Sequence, residues 1–156
     1  EDALIFAFQR GRFKQGELSI DLAREARSDK QIAMLSGLMS TREVKVNLGR
    51  NGHTTVRFII HIQGSILEYI GPYNLSNDSD RKKLEHQIAS YIADKSDEMV
   101  AMMQRHKVDS LGIGTHVRNS MSYKEWKSRN WKDELYPNAR VLFDVTVKIK
   151  SYGKFR

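Results

Sequence analysis

Apolar and polar side chains alternate along "TREVKVNL", with Val44, Val46 and Leu48 on one side. A period of two puts successive side chains on opposite faces of a pleated strand, so the spacing predicts a half-buried strand over 41–48. The alternation resumes in "TTVRFIIHIQGSILEYIG". There Val56, Phe58, Ile60 and Ile62 face one way and Thr55, Arg57 and His61 the other. Ile59 is the apolar exception, and Gly64 inside the run predicts a bulge or bend. Asn51-Gly52 lies between the two runs. Both positions accept positive φ, which predicts a hairpin joining the 44 and 56 strands.

Upstream, Ile5 and Phe8, then Phe13, Leu18 and Ile20, with Gly11 and Gly16 as punctuation, predict two short strands. In "IDLAREARSDKQIAMLSGLMS" the apolar residues Leu22, Ala26, Ile32, Leu35 and Leu38 recur near the helical period. That stretch reads as helix, with Ser28-Asp29 as an internal cap and Gly37 as a stop.

The strongest helical pattern covers 78–106. Leu84, Ile88, Tyr91, Ile92, Met99, Met102 and Met103 form its apolar stripe. Asp78 and Asp80 near its start and Arg105, His106 and Lys107 near its end suit the helix dipole. At 1.5 Å per residue it would be about 40 Å long, enough to cross a sheet. In "ARVLFDVTVKIKSYG", Val141, Phe143, Val145, Val147 and Ile149 form one face, and Asp144, Thr146, Lys148 and Lys150 the other. A strand with one wet face points to antiparallel pairing. Together these elements predict an α+β fold. An antiparallel β-sheet of about four to five strands packs against the long α-helix, and 126–135 is a shorter Trp-bearing helix. No repeat or linker divides the chain, so 1–156 reads as a single domain, large enough to bury a core of its own.

Charge adds an asymmetry. The net charge is +7; residues 1–106 hold 15 Lys/Arg and 14 Asp/Glu, and residues 107–156 hold 11 and 5. Such a basic end suits an anionic partner, nucleic acid or lipid surface, or serves as a solvated face. The chain has no cysteine, which removes disulfides, thiolate metal sites and cysteine nucleophiles. No apolar run approaches the roughly 20 residues of a membrane helix. The opening "EDALIFAFQRG" is acidic where a signal peptide is basic and lacks an initiator methionine, so it reads as a mature form or an excised domain.

Enzyme signatures are missing: there is no GxSxG, P-loop, kinase motif or paired carboxylate, so no catalytic residue and no cofactor is expected. His53, His61, His86, His106 and His116 share no metal spacing and read as ordinary surface or interface histidines. Met99, Met102 and Met103 read as core packing.

The remaining chemistry concentrates in "DSLGIGTHVRNSMSYKEWKSRNWKDELYP", residues 109–137. Gly112 and Gly114 follow a helix and lack a third glycine, so they read as a chain reversal and not as a dinucleotide loop. Asp109 is expected to cap main-chain N–H groups of that turn or of the helix after it. Trp126 and Trp131 stand five apart, about 140° around an ideal helix, and share a face only if the segment bends. At least one should plug the end of the core, and Trp131 is expected to be largely buried. Lys124, Lys127, Arg129 and Lys132 interleave with them. An RNA or DNA surface is the rival reading, resting on charge alone, without an RNP, zinc-finger or KH motif.

Taken as a unit, Asp109, Gly112 and Gly114 of "DSLGIG", Trp131 of "NWKDELYP", Pro137 and the terminal "VTVKIKSYG" resemble the C-terminal domain of the Ger(x)C family. Glu68 in "GSILEYIG" matches a family glutamate ahead of the long helix. The likeness runs from about 44 to 153 and is weaker before 41. It departs in the short tryptophan spacing and in Ile113, where the family often has phenylalanine. The resemblance implies a C subunit of a nutrient germinant receptor of spore-forming bacteria. Such a subunit is a non-enzymatic lipoprotein that works with A and B subunits, lipid-anchored to the inner spore membrane and exposed on its outer face. The anchor would lie upstream of this chain, which would be the C-terminal domain of a longer lipoprotein. The implied role is a scaffold or interaction module needed for nutrient-triggered spore germination. Glu68, Asp109, Gly112, Gly114, Trp131 and Pro137 become structural motif residues, and Lys148, Lys150, Lys154 and Arg156 candidate contacts to an anionic surface. The alternative is a soluble nucleic-acid-binding domain using the basic C-terminal third.

Overall fold

The computed structural model describes residues 2–11, 13–14, 16–23, 29–49 and 53–152. Helix α1 (Asp2–Arg10) leads into two short strands, β1 (Phe13–Lys14) and β2 (Leu18–Asp21). Two long strands follow, β3 (Ile32–Leu48) and β4 (Thr54–Ile70), then helix α2 (Asp78–Arg105). After α2 come α3 (Ile113–Asn119), α4 (Tyr123–Ser128), a π-helical turn (Trp131–Leu135), α5 (Tyr136–Asn138) and the last strand β5 (Arg140–Ser151). β3 and β4 pair antiparallel from Ile32↔Ile70 to Leu48↔Thr54. The hairpin expectation at Asn51-Gly52 falls outside the described residues. Beside it, the Gly49 N–H donates to the His53 carbonyl at 3.0 Å. β1 and β2 both lie along the far side of β3, and β5 flanks β4.

α1, α2 and α3 share one core with the sheet face that carries Val56, Phe58, Ile60 and Ile62, all at most 2% exposed. Asn77 caps α2 by accepting from the Ser79 and Asp80 N–H groups. The helix buries Leu84, Ile88, Ala89, Ile92, Ser96 and Val100, a stripe at three- and four-residue steps. Within the expected methionine stripe, Met99 and Met103 are half-buried against the core, and Met102 is exposed. The other face of the sheet is mixed, with Met34, Met39, Ile59 and Ile70 among its charged side chains. It presents Lys45, Arg57, His61, Asp144, Lys148 and Lys150, with Arg57 and Asp144 paired at 2.6 Å.

Four sequence readings change. Ile5 and Phe8 belong to a helix, because their three-residue spacing with Gln9 puts all three on the buried face of α1. The stretch 32–40 is strand, not helix. Ile32 through Ser36 pair with β4 across a one-residue shift between Met34 and Leu35, where Leu67 of β4 is extra, and one extra residue of β3 is inserted between Ser36 and Met39. Gly37, at φ 59°, absorbs that bulge. Leu35 and Leu38 therefore both face the core, and a bulged strand imitates the helical three-residue step. Residues 24–28, including Ser28 of the expected cap, are outside the described set. The sheet is antiparallel throughout except at its last pair, where β5 runs parallel to β4 from Thr55↔Arg140. Alternation reports a wet face and not a strand direction; here the α2 crossover returns the chain to the start of β4. Finally, 126–135 is not one helix: α4 stops at Ser128, Arg129 is extended, and the chain re-enters a helical turn at Trp131.

Candidate functional site

The segment after α2 is organised by one carboxylate. Asp109 Oδ1 accepts from the Ile113 N–H at 2.8 Å, and Oδ2 from the Gly114 N–H at 2.7 Å. Both are orphan donors of the first turn of α3, and both residues are buried. Gly112 leads into the helix at φ 69°, in the left-handed region that glycine tolerates. Gly114 matters for space. A β-carbon there would sit 2.6 Å from Trp131 Nε1 and 3.1 Å from Asp109 Oδ2. The glycine pair therefore makes a turn and a seat for an indole.

Trp131 takes that seat, with Trp126 and Tyr136 tilted against it. α4 opens with a capping box: Ser122 Oγ accepts from the Glu125 N–H at 3.2 Å, and Glu125 Oε2 accepts from the Ser122 N–H at 2.9 Å. The break at Arg129 is the bend that brings Trp126 to 5.9 Å from Trp131, centroid to centroid. In the π-helical turn the Leu135 N–H reaches back to the Asn130 carbonyl at 3.0 Å. That wider turn sets Tyr136 beneath Trp131, with ring centroids 5.4 Å apart. Tyr136 is 1% exposed, whereas both indoles are only half-buried. Tyr136 is thus the innermost ring at this end of the core, and Trp131, partly buried and packed against the core, lies over it. The Tyr136 hydroxyl donates to the Val108 carbonyl at 2.6 Å. Gln104 Nε2 donates to the Tyr136 and Ala139 carbonyls at 2.9 and 2.8 Å, pinning the turn to α2. Burial, reinforced by the charge of Asp109, pushes the Tyr136 phenol up to about 12.

Above these rings lies an open cleft of about 470 Å³. Trp126, Trp131 and Tyr136 form its aromatic side, and Gly112 and Gly114 its main-chain side. Lys107, Arg118 and Lys132 stand around it, with Lys107 tied to Asp133 at 3.1 Å. Asp109 lines it too, its oxygens already engaged by main-chain N–H groups. No group of three His, Asp or Glu that could hold a metal occurs among the described residues. No helix of the described residues is long and apolar enough to cross a membrane.

The family model described as "Spore germination B3/ GerAC like, C-terminal" matches residues 1–153. The chain belongs to this family. The structure is also similar to the crystal structure of the GerBC protein, with a TM-score of 0.72 at 13% identity. The alignment covers 96% of this chain and 45% of that one, so this chain spans less than half of that relative. Comparison with curated protein sequences gave no match.

The GerAC-like domain gathers Asp109, Gly112, Gly114 and Trp131 into one cluster, with Pro137 next to Tyr136 at the start of α5. It leaves Glu68 apart, exposed on the open sheet face opposite Met34. Lys148 and Lys150 are exposed on that same open face, and Lys154 and Arg156 fall outside the described residues. Sequence reasoning missed Tyr136 and Arg118. The available signal for Tyr136 was its place five residues after Trp131, the step that also separates the two tryptophans.

His116 is the other departure in this GerAC-like domain. It is half-buried in α3, edge-on to Phe58 at 6.5 Å, and not an ordinary surface histidine. Burial lowers its pKa, and the Arg42 guanidinium lowers it further, against a smaller upward pull from Asp109. A histidine whose folded pKa is depressed leaves stability complete above its unfolded value of about 6.5. Stability is then lost as pH falls through the folded pKa, because the unfolded chain takes up the proton first. Urea midpoints measured from pH 7.5 down to 5 should fall for the wild type, and less steeply for His116→Gln. Equal slopes would show that His116 does not carry the effect.

Proposed function

We propose that this chain is the C-terminal domain of a lipid-anchored germinant-receptor C subunit. In this reading 1–156 is a single domain that serves nutrient-triggered germination as a non-catalytic scaffold or interaction module, with the A and B subunits as its partners. Its place is the inner spore membrane, on the outer face, held by an anchor in an upstream segment. The family match across residues 1–153 is the observation that carries the reading. The cleft chemistry supports it, since its one carboxylate, Asp109, is committed to main-chain N–H groups. Asp109, Gly112, Gly114, Trp131 and Pro137 then act structurally, holding the turn that presents the cleft, and Glu68 belongs to the open sheet face. Co-expression of the full-length subunit with the A and B subunits, followed by affinity capture, tests this. Deleting the present domain should abolish or sharply reduce capture of A and B; undiminished capture would remove the interaction role.

The open sheet face suits an orienting contact with anionic headgroups. Lys148 and Lys150 project from it, and the sequence continues to Lys154 and Arg156. Each basic residue near such a surface contributes about 1 kcal/mol. The effect decays over about 8–10 Å at ordinary ionic strength. The chain should sediment with vesicles in proportion to their anionic content at low salt, and Lys148→Ala/Lys150→Ala should reduce the bound fraction. No binding at low salt, or binding unchanged by a high-salt wash, would rule out electrostatic orientation.

A further inference from the structure

Tyr136 is the innermost of the three rings at its end of the core. Trp131 lies over it with Trp126 beside Trp131, and both indoles stay partly exposed to solvent. Packing against the core covers only part of these rings, and burying apolar area is worth about 25 cal/mol per Å² on the part still exposed. Tryptophan, tyrosine and arginine are the residue types that concentrate in the pockets where binding energy is focused. The cleft volume of about 470 Å³ lies within the range of pockets that enclose a side chain or small ligand. Its free charge is positive: Arg118 and Lys132 are exposed and form no ion pair among the described residues, and the Asp109 oxygens are turned to main-chain N–H groups.

We infer that this cleft docks a short acidic peptide segment bearing one aromatic or large aliphatic side chain. The apolar side chain seats against Trp126 and Trp131, and flanking carboxylates meet Arg118 and Lys132. A polynucleotide fits the geometry less well. The ring planes are tilted by 35° and 38° onto each other, which leaves no flat stacking platform. Two unpaired cations also make no track for a phosphate backbone. The inference rests on the interaction-module reading and adds the chemistry of what the module holds.

Both tryptophans of the chain line the cleft, so intrinsic fluorescence reports its occupancy directly. The probes are a blocked Glu-Asp-Phe-Glu-Asp peptide, its Gln/Asn counterpart, its Ala-for-Phe counterpart, and a thymidine oligonucleotide. The acidic Phe peptide should give a saturable change, weakened at least about threefold by either replacement. Arg118→Ala/Lys132→Ala should weaken it about 3- to 10-fold. Lys82→Ala/Lys83→Ala, exposed lysines at the start of α2, should leave it unchanged. Thermal melts by circular dichroism establish that each variant is folded. No saturable change at millimolar peptide overturns the inference, as does equal weakening in the two double variants. Tighter binding of the oligonucleotide would assign the cleft to nucleic acid. Failure here with intact capture of the A and B subunits would sink the cleft and leave the module reading standing.

Discussion

Tyr136→Ala is expected to destabilise the fold by about 3–5 kcal/mol, the range for deleting a large buried aromatic. The ring is 1% exposed, Trp131 lies on it at 5.4 Å, and its hydroxyl is used by Val108. Its removal leaves a cavity under an indole that is itself only half-buried, so the cover has little to hold it in place. For a chain of this size the loss corresponds to a drop in Tm of roughly 6–20 °C. Tyr136→Phe separates the ring from the hydroxyl. It keeps the packing and loses one hydrogen bond, at a cost of about 1 kcal/mol. The pH dependence distinguishes them further. With the folded phenol held up at about 12, the unfolded chain ionises first as pH rises past 10, so stability falls between about 10 and 12. The Phe variant should lose that part of the alkaline slope, measured as the difference from wild type in urea midpoints. A Tyr136→Ala variant melting with the wild type would mean that the stack does not close the core.

The long elements were legible because their side-chain period is unambiguous over many residues. β4 and α2 are of this kind: one buries every second residue and the other a stripe at three- and four-residue steps. The failures share a cause, which is that a local pattern was read without the tertiary contact that produces it. Leu35 and Leu38 look helical until the bulge at Gly37 explains why they share a face. β5 shows a wet face, yet its direction is set by the crossover through α2, which no alternation records. The cluster around Asp109 was visible as residue types, and its capping role follows from the turn it precedes. Which aromatic sits innermost was not visible. The five-residue hydrogen-bond step at 131–135 places Tyr136 below Trp131, and nothing in ideal helical spacing foretells a π-helical turn.

The second large effect is expected at Asp109. Its two oxygens satisfy the N–H groups of Ile113 and Gly114, both of which belong to buried residues. Removing the acceptor from a buried donor costs about 1–3 kcal/mol, because the group keeps its desolvation penalty and loses its partner. Two such donors at 2.7 and 2.8 Å put Asp109→Ala at about 2–4 kcal/mol, at or above the upper end of single helix-cap replacements. Asp109→Asn should fall between, since its amide supplies one acceptor and turns a donor toward the other N–H. The same change reaches the aromatic stack. Gly114 is the seat of Trp131, so loosening the first turn of α3 frees the indole and opens Tyr136 beneath it. Amide hydrogen exchange tests both links. In Asp109→Ala the amides of Ile113 and Gly114 should exchange faster than those in the middle of α2, and tryptophan fluorescence should shift toward that of a wetter indole. If those two amides stay as protected as in the wild type, the carboxylate does not organise the turn, and the cleft above it must be held by α2 and the π-helical turn alone.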